Sequence, residues 1–381
     1  MRVIRADARP QPQQAFRWSV DESHPLAFLT RQWPSALCAG PLATAPPITQ
    51  DHVDDLFLMY HYTSSTYATT SKRSAISELW RTYVAEQAFV HPFLMHGILM
   101  FAAAHLRYLR PHEDQRFASL TRYHQERGLA SFHYALMEIN SENCGAVFAF
   151  ASMLSIVSMT AITMPRKHHH SERGNNTNNR NNSNDNNEDE PPTTLADIDE
   201  LMVITRGVRD VIEPAYPHMT SMPLRIMFGC YNLDDYNSVS LPTELASRVR
   251  SLSSMIHQFC SPANNPDAAS ACQAALADLE RIYKDRLFLR ENVDEIGVIL
   301  KWIVIVPGAF LALVKAADTA ALIVFAHYVM LLRLLHDRWY LQGMAERMMG
   351  AIERSIAPRG LVWLRWPQQQ LNSDFPAFRI G

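Results

Sequence analysis

Glycine is scarce in this chain, with 13 residues in 381, about half of its ordinary usage of roughly 7%. Folds built from many short strands and tight turns need residues that tolerate positive φ, so this scarcity favours helices. Charged residues make up 19% of the sequence and apolar residues 48%, which is enough apolar surface for a substantial core. The composition therefore excludes a chain that is disordered throughout.

Cysteine is also scarce, and a basic excess is absent. The five cysteines are scattered and form no CxxC pair; they are Cys38, Cys144, Cys230, Cys260 and Cys272. This pattern excludes a disulfide framework and indicates a reducing compartment. The chain has 35 Lys and Arg against 38 Asp and Glu, a net charge of −3. A compact nucleic-acid-binding protein normally has a basic excess, which this chain as a whole does not show.

Motifs of catalysis and metal binding are missing as well. The 16 histidines form no HExxH, and the chain has no GxSxG, no phosphate-binding glycine loop and no GxGxxG. The sequence therefore predicts no catalytic residue, no metal site and no cofactor. The run His168–His170 is able to bind metal weakly, as any such run can. Cys272 lies on the apolar face of a helical pattern and is predicted to be a core residue.

Long apolar helices dominate what is present. The stretch 92–109 begins with Pro92 at a first helical position, ends before Pro111 and is apolar on nearly every face, which predicts a central buried helix. Residues 145–164 carry no charge and are long enough to span a membrane. Serines and threonines dilute this stretch, so we predict a buried core helix and no membrane span. No alternating run of strand length occurs, which predicts an all-α fold.

The composition changes along the chain predict one large helical-bundle domain interrupted by a disordered insertion. The insertion is rich in Asn, with nine of them within 175–187, and too polar to offset the entropy of ordering. The predicted parts are an irregular N-terminal arm (1–50), a first helical part (51–165), the disordered Asn-rich loop (166–192), a second helical part of the same domain (193–370) and a C-terminal tail (371–381).

Five parts of this chain form a recognisable set. They are HYTSSTY (61–67), Trp80, QAFVHPFLMHGILMFAAAHLRYL (87–109), AHYVMLLRLLHDRWYLQGMAERMMGAI (326–352) and WLRWP (363–367). Together they resemble the C-terminal regulatory domain of fungal zinc-cluster (Zn2Cys6) transcription factors, in the branch of the sterol uptake control proteins. The resemblance covers about residues 51–367, apart from the Asn-rich insertion.

The chain departs from that family in its cysteines. The zinc cluster of these factors needs six closely spaced cysteines, and here Cys38 is the one cysteine before Cys144. The cluster therefore cannot be present in the family's form, and we expect DNA to be contacted weakly or through a partner. A zinc cluster encoded upstream of this sequence is the alternative that the sequence leaves open.

The resemblance implies a nuclear protein, or one that shuttles from the cytoplasm to the nucleus, controlling sterol or secondary-metabolite genes. It implies a helical domain that binds a hydrophobic small molecule, sterol-like or of polyketide or terpenoid type, and changes its contacts with a protein partner or a second copy. From their positions in the matched segments, the expected ligand-binding residues are Met95, Ile98, Leu99, Phe101, Tyr328, Met330, Leu331 and Trp339.

Two further expectations accompany this hypothesis. His96, His105 and His327 are expected to be core histidines bonded to backbone or hydroxyl groups rather than ligand contacts. The alternative function is a biosynthetic enzyme of the cyclase or isomerase type that uses the same apolar pocket to fold a hydrophobic substrate. The absence of recognisable catalytic residues counts against that alternative.

Overall fold

The computed structural model describes residues 49–164, 192–219, 223–227, 240–260, 266–288 and 295–373, and every regular element within these ranges is helical. This confirms the predicted all-α class. The α-helices are α1 (Gln50–Ser64), α2 (Ser74–Leu79), α3 (Ala85–Val90), α4 (Pro92–Leu109), α5 (Asp114–Met137), α6 (Cys144–Thr163), α7 (Leu195–Met219), α8 (Thr243–Phe259), α9 (Pro266–Phe288), α10 (Glu295–Ile305), α11 (Gly308–Lys315), α12 (Thr319–Leu332), α13 (Met344–Ser355) and α14 (Leu361–Leu371).

Three predicted segments lie outside the described residues. The structure does not describe residues 1–48, 165–191 and 374–381. These ranges include nearly all of the predicted N-terminal arm (1–50), Asn-rich loop (166–192) and C-terminal tail (371–381). Residues from Asp54 onward form one unit, and the residues up to Val53 form another. The core and the site described below belong to the unit that starts at Asp54.

The helices α4, α6 and α12 are buried on nearly every face. All fourteen residues of α12 are buried, as are most residues of α4 and α6. Helix α4 packs against α5 and α6, α6 packs against α7, and α12 packs against α9, α13 and α14. Because such a helix has no polar face to turn to water, it needs neighbours on all sides. The predicted central burial of residues 92–109 is confirmed.

Helix α6 is long and apolar enough to cross a membrane, and the bent pair α10 and α11, which meet at 84°, would count as a second candidate if taken as one span. Within the described part of the chain, 78% of the apolar window of α6 is buried inside the protein. That burial agrees with the prediction of a core helix.

A π-helical turn, Trp80–Val84, joins α2 to α3. Such a turn changes the backbone hydrogen-bond register locally. The Trp80 carbonyl here accepts a hydrogen bond from the fully buried Tyr62 hydroxyl at 2.8 Å. Helix α1 is thereby fixed to the α2–α3 segment in the vicinity of the HYTSSTY motif.

Two glycines allow α4, α5 and α6 to approach each other closely around one phenylalanine ring. A Cβ atom at Gly97 of α4 would lie 2.7 Å from Phe150 Cδ2, and one at Gly128 of α5 would lie 2.6 Å from Phe150 Cε2. The Phe150 ring of α6 also packs on Phe132, with 4.6 Å between ring centroids. Each glycine therefore occupies a position where a side chain has no room.

We predict that Gly97→Ala lowers the free energy of unfolding by about 1–3 kcal/mol, because the added methyl overpacks the interface with Phe150. The matched control is Gly207→Ala in α7, where a Cβ atom meets nothing within 4 Å. The control should gain roughly 0.5–1 kcal/mol from helix propensity. Urea denaturation of both variants is the measurement. A Gly97→Ala protein as stable as the parent would contradict the described packing.

Candidate functional site

Three of the segments that carry the family resemblance meet around the stacked side chains of Trp339 and His105. The Trp339 ring stacks on His105 of α4, with 5.1 Å between ring centroids, and on Phe101 at 6.0 Å. Trp339 Nε1 donates a hydrogen bond to Thr69 Oγ1 at 3.1 Å. Thr69 ends the short 3-10 turn Thr66–Thr69, which follows α1. The opening segments and the closing segment of the resemblance are therefore neighbours in space.

His105, which stacks on the Trp339 ring, contacts two further polar side chains. His61 Nε2 is 3.2 Å from His105 Nδ1, and Thr66 Oγ1 is 3.1 Å from the same Nδ1. Burial, and after it the neighbouring His61 ring, lower the pKa of His105 from 6.5 to about 4. Burial, followed by the charge of Arg110, also lowers the pKa of His61. Both rings are therefore neutral at neutral pH, which lets one ring nitrogen donate to the lone pair of the other.

A cleft of about 320 Å³ opens beside Trp339, at the lower end of the sizes typical of small-molecule sites. It lies where α4, α6 and α13 end or begin. Apolar and charged side chains both line it. The lining residues are Arg107, Tyr108, Pro111, Asp114, Thr163, Met164, Trp339, Gln342, Gly343 and Arg347. We refer to it as the Trp339 cleft.

Local sequence explains why a cleft forms at this place. Pro111 ends α4 because it cannot continue the helical hydrogen bonding. Gly343 precedes α13 with φ of 75°, a left-handed conformation that favours glycine. At the rim, the Tyr108 hydroxyl donates to Gln342 Oε1 at 3.0 Å. Helix ends that converge in this way leave space that continuous helices would fill.

The lining of the cleft includes an ion pair. Arg107 Nε donates to Asp114 Oδ1 at 2.6 Å, and both side chains are about three-quarters buried. Arg347, on the first turn of α13, contributes a second guanidinium to the lining. An apolar surface beside two guanidinium groups suits an amphipathic molecule with a polar or anionic end.

The eight expected ligand-binding residues do not share one place. Phe101 and Trp339 meet as described, and of the eight only Trp339 lines the Trp339 cleft within the described residues. Tyr328 stacks instead on Trp302 of α10, with 4.3 Å between ring centroids. Met95 is half-buried at the edge of the core. The remaining members are buried core residues: Ile98 and Leu99 on α4, and Met330 and Leu331 on α12.

The residues that give the cleft its polar character were not predicted. Arg107 and Arg347 both lie inside the segments quoted for the resemblance, near the ends of apolar runs. A charged residue at the end of an apolar helix can indicate a binding site. Such residues are also common at ordinary solvent-exposed helix ends, so the signal is not specific. Asp114 and Thr163 gave no sequence signal, because they reach the cleft from helices whose packing was unknown.

The three histidines expected to be core residues have different partners. His105 contacts the Thr66 hydroxyl, and His327 Nδ1 donates to the Ile323 carbonyl at 2.8 Å, which agrees with the expectation. His96 is different, because its Nδ1 lies 3.0 Å from Nδ1 of the fully buried His124. Nε2 of His124 is 3.4 Å from the Asp55 carboxylate. A second histidine pair therefore links α4 to α5.

No protein-family model matches this chain. It is similar to the curated sterol uptake control protein 2 of Candida albicans, with 35% identity over 134 residues, which are 33% of this chain and 18% of that protein. It is similar to sterol uptake control protein 2 of Saccharomyces cerevisiae, with 34% identity over 106 residues, which are 28% of this chain and 11% of that protein. The match therefore spans less than a fifth of either relative.

Buried neutral histidines predict that the protein is destabilised by mild acid. Burial is the main cause that lowers the pKa of His105, His124 and His327 to about 4. Between pH 6.5 and 4 the unfolded chain therefore binds protons that the folded protein does not, so stability present above pH 6.5 is lost as the pH falls. The fully buried His327 alone contributes about 3 kcal/mol to this loss. The free energy of unfolding in urea is measured at pH 7 and at pH 4.5.

For His327→Gln, the free energy of unfolding should differ less between the two pH values than it does in the parent. An unchanged difference would contradict the contribution assigned to His327.

Two buried tyrosines provide a matched test of the interior around α12. The Tyr328 hydroxyl has no hydrogen-bond partner among the described residues, whereas the Tyr283 hydroxyl donates to the His327 carbonyl at 3.0 Å. An unsatisfied buried hydroxyl costs about 1–3 kcal/mol, and a satisfied one contributes about 1 kcal/mol. Tyr328→Phe should therefore raise the free energy of unfolding and Tyr283→Phe should lower it. Equal losses in both variants would show that the Tyr328 hydroxyl has a partner.

Proposed function

We propose that this chain is the regulatory part of a fungal transcription regulator of the sterol uptake control type, and that an apolar or amphipathic small molecule binds in its Trp339 cleft. The protein would act in the nucleus and reach DNA through a partner. The observation that carries the proposal is the convergence of the segments HYTSSTY, 87–109 and 326–352 at the stacked pair of Trp339 and His105, beside a cleft of about 320 Å³.

The similarity to the two sterol uptake control proteins supports a role in transcription regulation. They belong to the branch named from the sequence resemblance, so the comparison supports that resemblance. The composition adds a constraint. With a net charge of −3, this chain has no basic excess for binding DNA on its own, and a partner that binds DNA fits better.

The surroundings of Trp339 suggest how a bound ligand would be sensed. One face of the ring stacks on His105 and Phe101 of α4, and its Nε1 bonds to Thr69 near the end of α1. Arg338, next to it, donates to the Thr69 carbonyl at 2.9 Å. A ligand that contacts Trp339 therefore touches the residue that holds α1, α4 and the α12–α13 connection together. Such a ligand shifts the domain between states if it binds one arrangement better than the other.

The proposed ligand position differs from the one that the eight residues expected from the sequence would define. Most of those residues are core, and the proposal keeps Trp339 from that set as the contact with the ligand. The apolar body of the molecule would lie against Trp339 and Met164. Its polar end would face Arg107 and Arg347, where a hydroxyl, carboxylate or phosphate oxygen finds charged donors.

Filling the cleft tests whether it binds a ligand. We expect Thr163→Trp to weaken binding of dehydroergosterol, a fluorescent sterol, to the full chain by at least about tenfold, or 1.4 kcal/mol, because the indole would occupy the cleft. Ala161→Trp is the matched control, since this exposed position lies on the same last turn of α6 and outside the lining. If both variants and the parent bind the sterol with equal affinity, the sterol does not bind in the Trp339 cleft.

A reporter experiment tests the regulatory role separately. The full chain is fused to a bacterial DNA-binding domain in yeast, and reporter transcription is measured with and without an inhibitor of sterol synthesis. We expect the output to change with sterol depletion, and the Thr163→Trp fusion to lose that response while the Ala161→Trp fusion keeps it. A fusion that is present in the nucleus and never alters transcription would contradict the proposed function.

A further inference from the structure

Two cysteines and an aspartate from three separate elements lie together in the second half of the domain. Cys260 follows the last residue of α8, Cys272 lies in α9, and Asp318 precedes the first residue of α12. Their ligand atoms, two thiol sulfurs and a carboxylate oxygen, all lie within 4.8 Å of one another. Cys272 is fully buried and Cys260 is 5% exposed. We call this group the Cys260 cluster.

The geometry of the cluster is close to what a metal ion requires. Ligand atoms about 2.0–2.3 Å from a shared tetrahedral ion lie roughly 3.5–3.8 Å apart, so the three atoms need only small side-chain adjustments to meet on one ion. The Cys260 and Cys272 sulfurs lie within 4.8 Å of each other, and each thiol shifts the pKa of the other. The two sulfurs therefore face each other rather than separate apolar pockets.

The carboxylate is held in place as a metal ligand would be. Asp318 Oδ1 accepts a hydrogen bond from the Ala321 backbone N–H at 3.0 Å, as the N-cap of α12. Hydrogen bonds of this kind orient the carboxylates that bind metals. The second oxygen of the same carboxylate is then free to coordinate an ion without loss of the cap.

Among the described residues, the groups that shift the pKa values of the two thiols include no cation. Burial, followed by the charge of Asp318, raises the pKa of Cys260; burial, then Cys260 and Asp318, raises the pKa of Cys272. A carboxylate beside two buried thiols disfavours the thiolate form of both. A divalent cation between the three groups would reverse that, because it neutralises the carboxylate and favours deprotonated sulfur.

We propose that Cys260, Cys272 and Asp318 bind a thiophilic divalent cation, zinc by the softness of its ligands. Two thiolates and one carboxylate are a ligand set that zinc accepts, and the fourth tetrahedral position is open to water or to a further ligand. The ion would join the end of α8, the middle of α9 and the start of α12. The sequence predicted no metal site because these residues are far apart in the chain and form no spaced motif.

Cobalt spectroscopy on the full chain tests this site directly. The protein carries an affinity tag without histidine, the run His168–His170 is replaced by alanine in all samples, and the reductant is a phosphine without thiols. After removal of metal, Co²⁺ is added in the absence of oxygen. We expect one equivalent to bind with the near-ultraviolet charge-transfer band of cobalt–thiolate coordination and the visible bands of a tetrahedral ion. Zn²⁺ should displace it.

Three variants assign the ligands. Cys272→Ser should abolish the charge-transfer band, whereas Cys144→Ser, which changes a buried cysteine at the start of α6, should leave it intact. Asp318→Asn keeps an N-cap of equal quality but removes the charged ligand. We expect it to weaken cobalt binding by at least about tenfold, because loss of a group that only supports a metal ligand already costs about 10–100-fold.

Several results would overturn the proposal. The proposal is wrong if the folded parent protein shows no cobalt–thiolate band. It is also wrong if the Asp318→Asn protein binds cobalt with unchanged affinity. Circular dichroism confirms that each variant is folded, and if Cys272→Ser is not, the Asp318→Asn and Cys260→Ser proteins decide. A Cys260–Cys272 disulfide in the purified protein, detected by mass spectrometry after alkylation, with no metal bound after reduction, would also exclude the site.

Discussion

Complete burial of α12 is the constraint that the rest of this structure depends on. A backbone segment without access to water must satisfy its N–H and C=O groups internally, and an α-helix does so within itself. The side chains of α12 are buried on every face, so α9, α13 and α14 have to cover it. Helix α4 imposes the same requirement on α5 and α6 in the first half of the domain. Each of these two helices therefore needs several neighbours, which is the architecture observed.

Two pairs of histidines at this interior link different helices. His61 and His105 join α1 to α4, and His96 and His124 join α4 to α5. Pairing offsets the cost of removing each polar group from water, and burial keeps the rings neutral. Cys260 and Cys272 repeat the arrangement with thiols between α8 and α9. Such pairs specify which helix faces are adjacent, since a shifted register would leave each member without its partner.

Recognition chemistry is placed at helix ends because the helices themselves are apolar. The Trp339 cleft lies where α4 and α6 end and α13 begins, and its guanidinium groups, Arg107 and Arg347, come from those ends. Trp339 belongs to both environments: it stacks on core residues of α4 and forms part of the cleft wall. Under the proposed function, this dual position would couple a ligand in the cleft to the packing of the domain.

The sequence by itself determined the all-α class, the central burial of residues 92–109 and the core positions of Cys272 and His327. Those properties follow from periodicity and apolar content, which act locally along one helix. Only the tertiary structure decided that Phe101 meets Trp339 while Tyr328 joins Trp302, that Arg107 and Arg347 line one cleft, and that Cys260, Cys272 and Asp318 form one cluster. A periodic pattern shows which face of a helix is buried, but the partner of that face is set by packing among elements far apart in the chain.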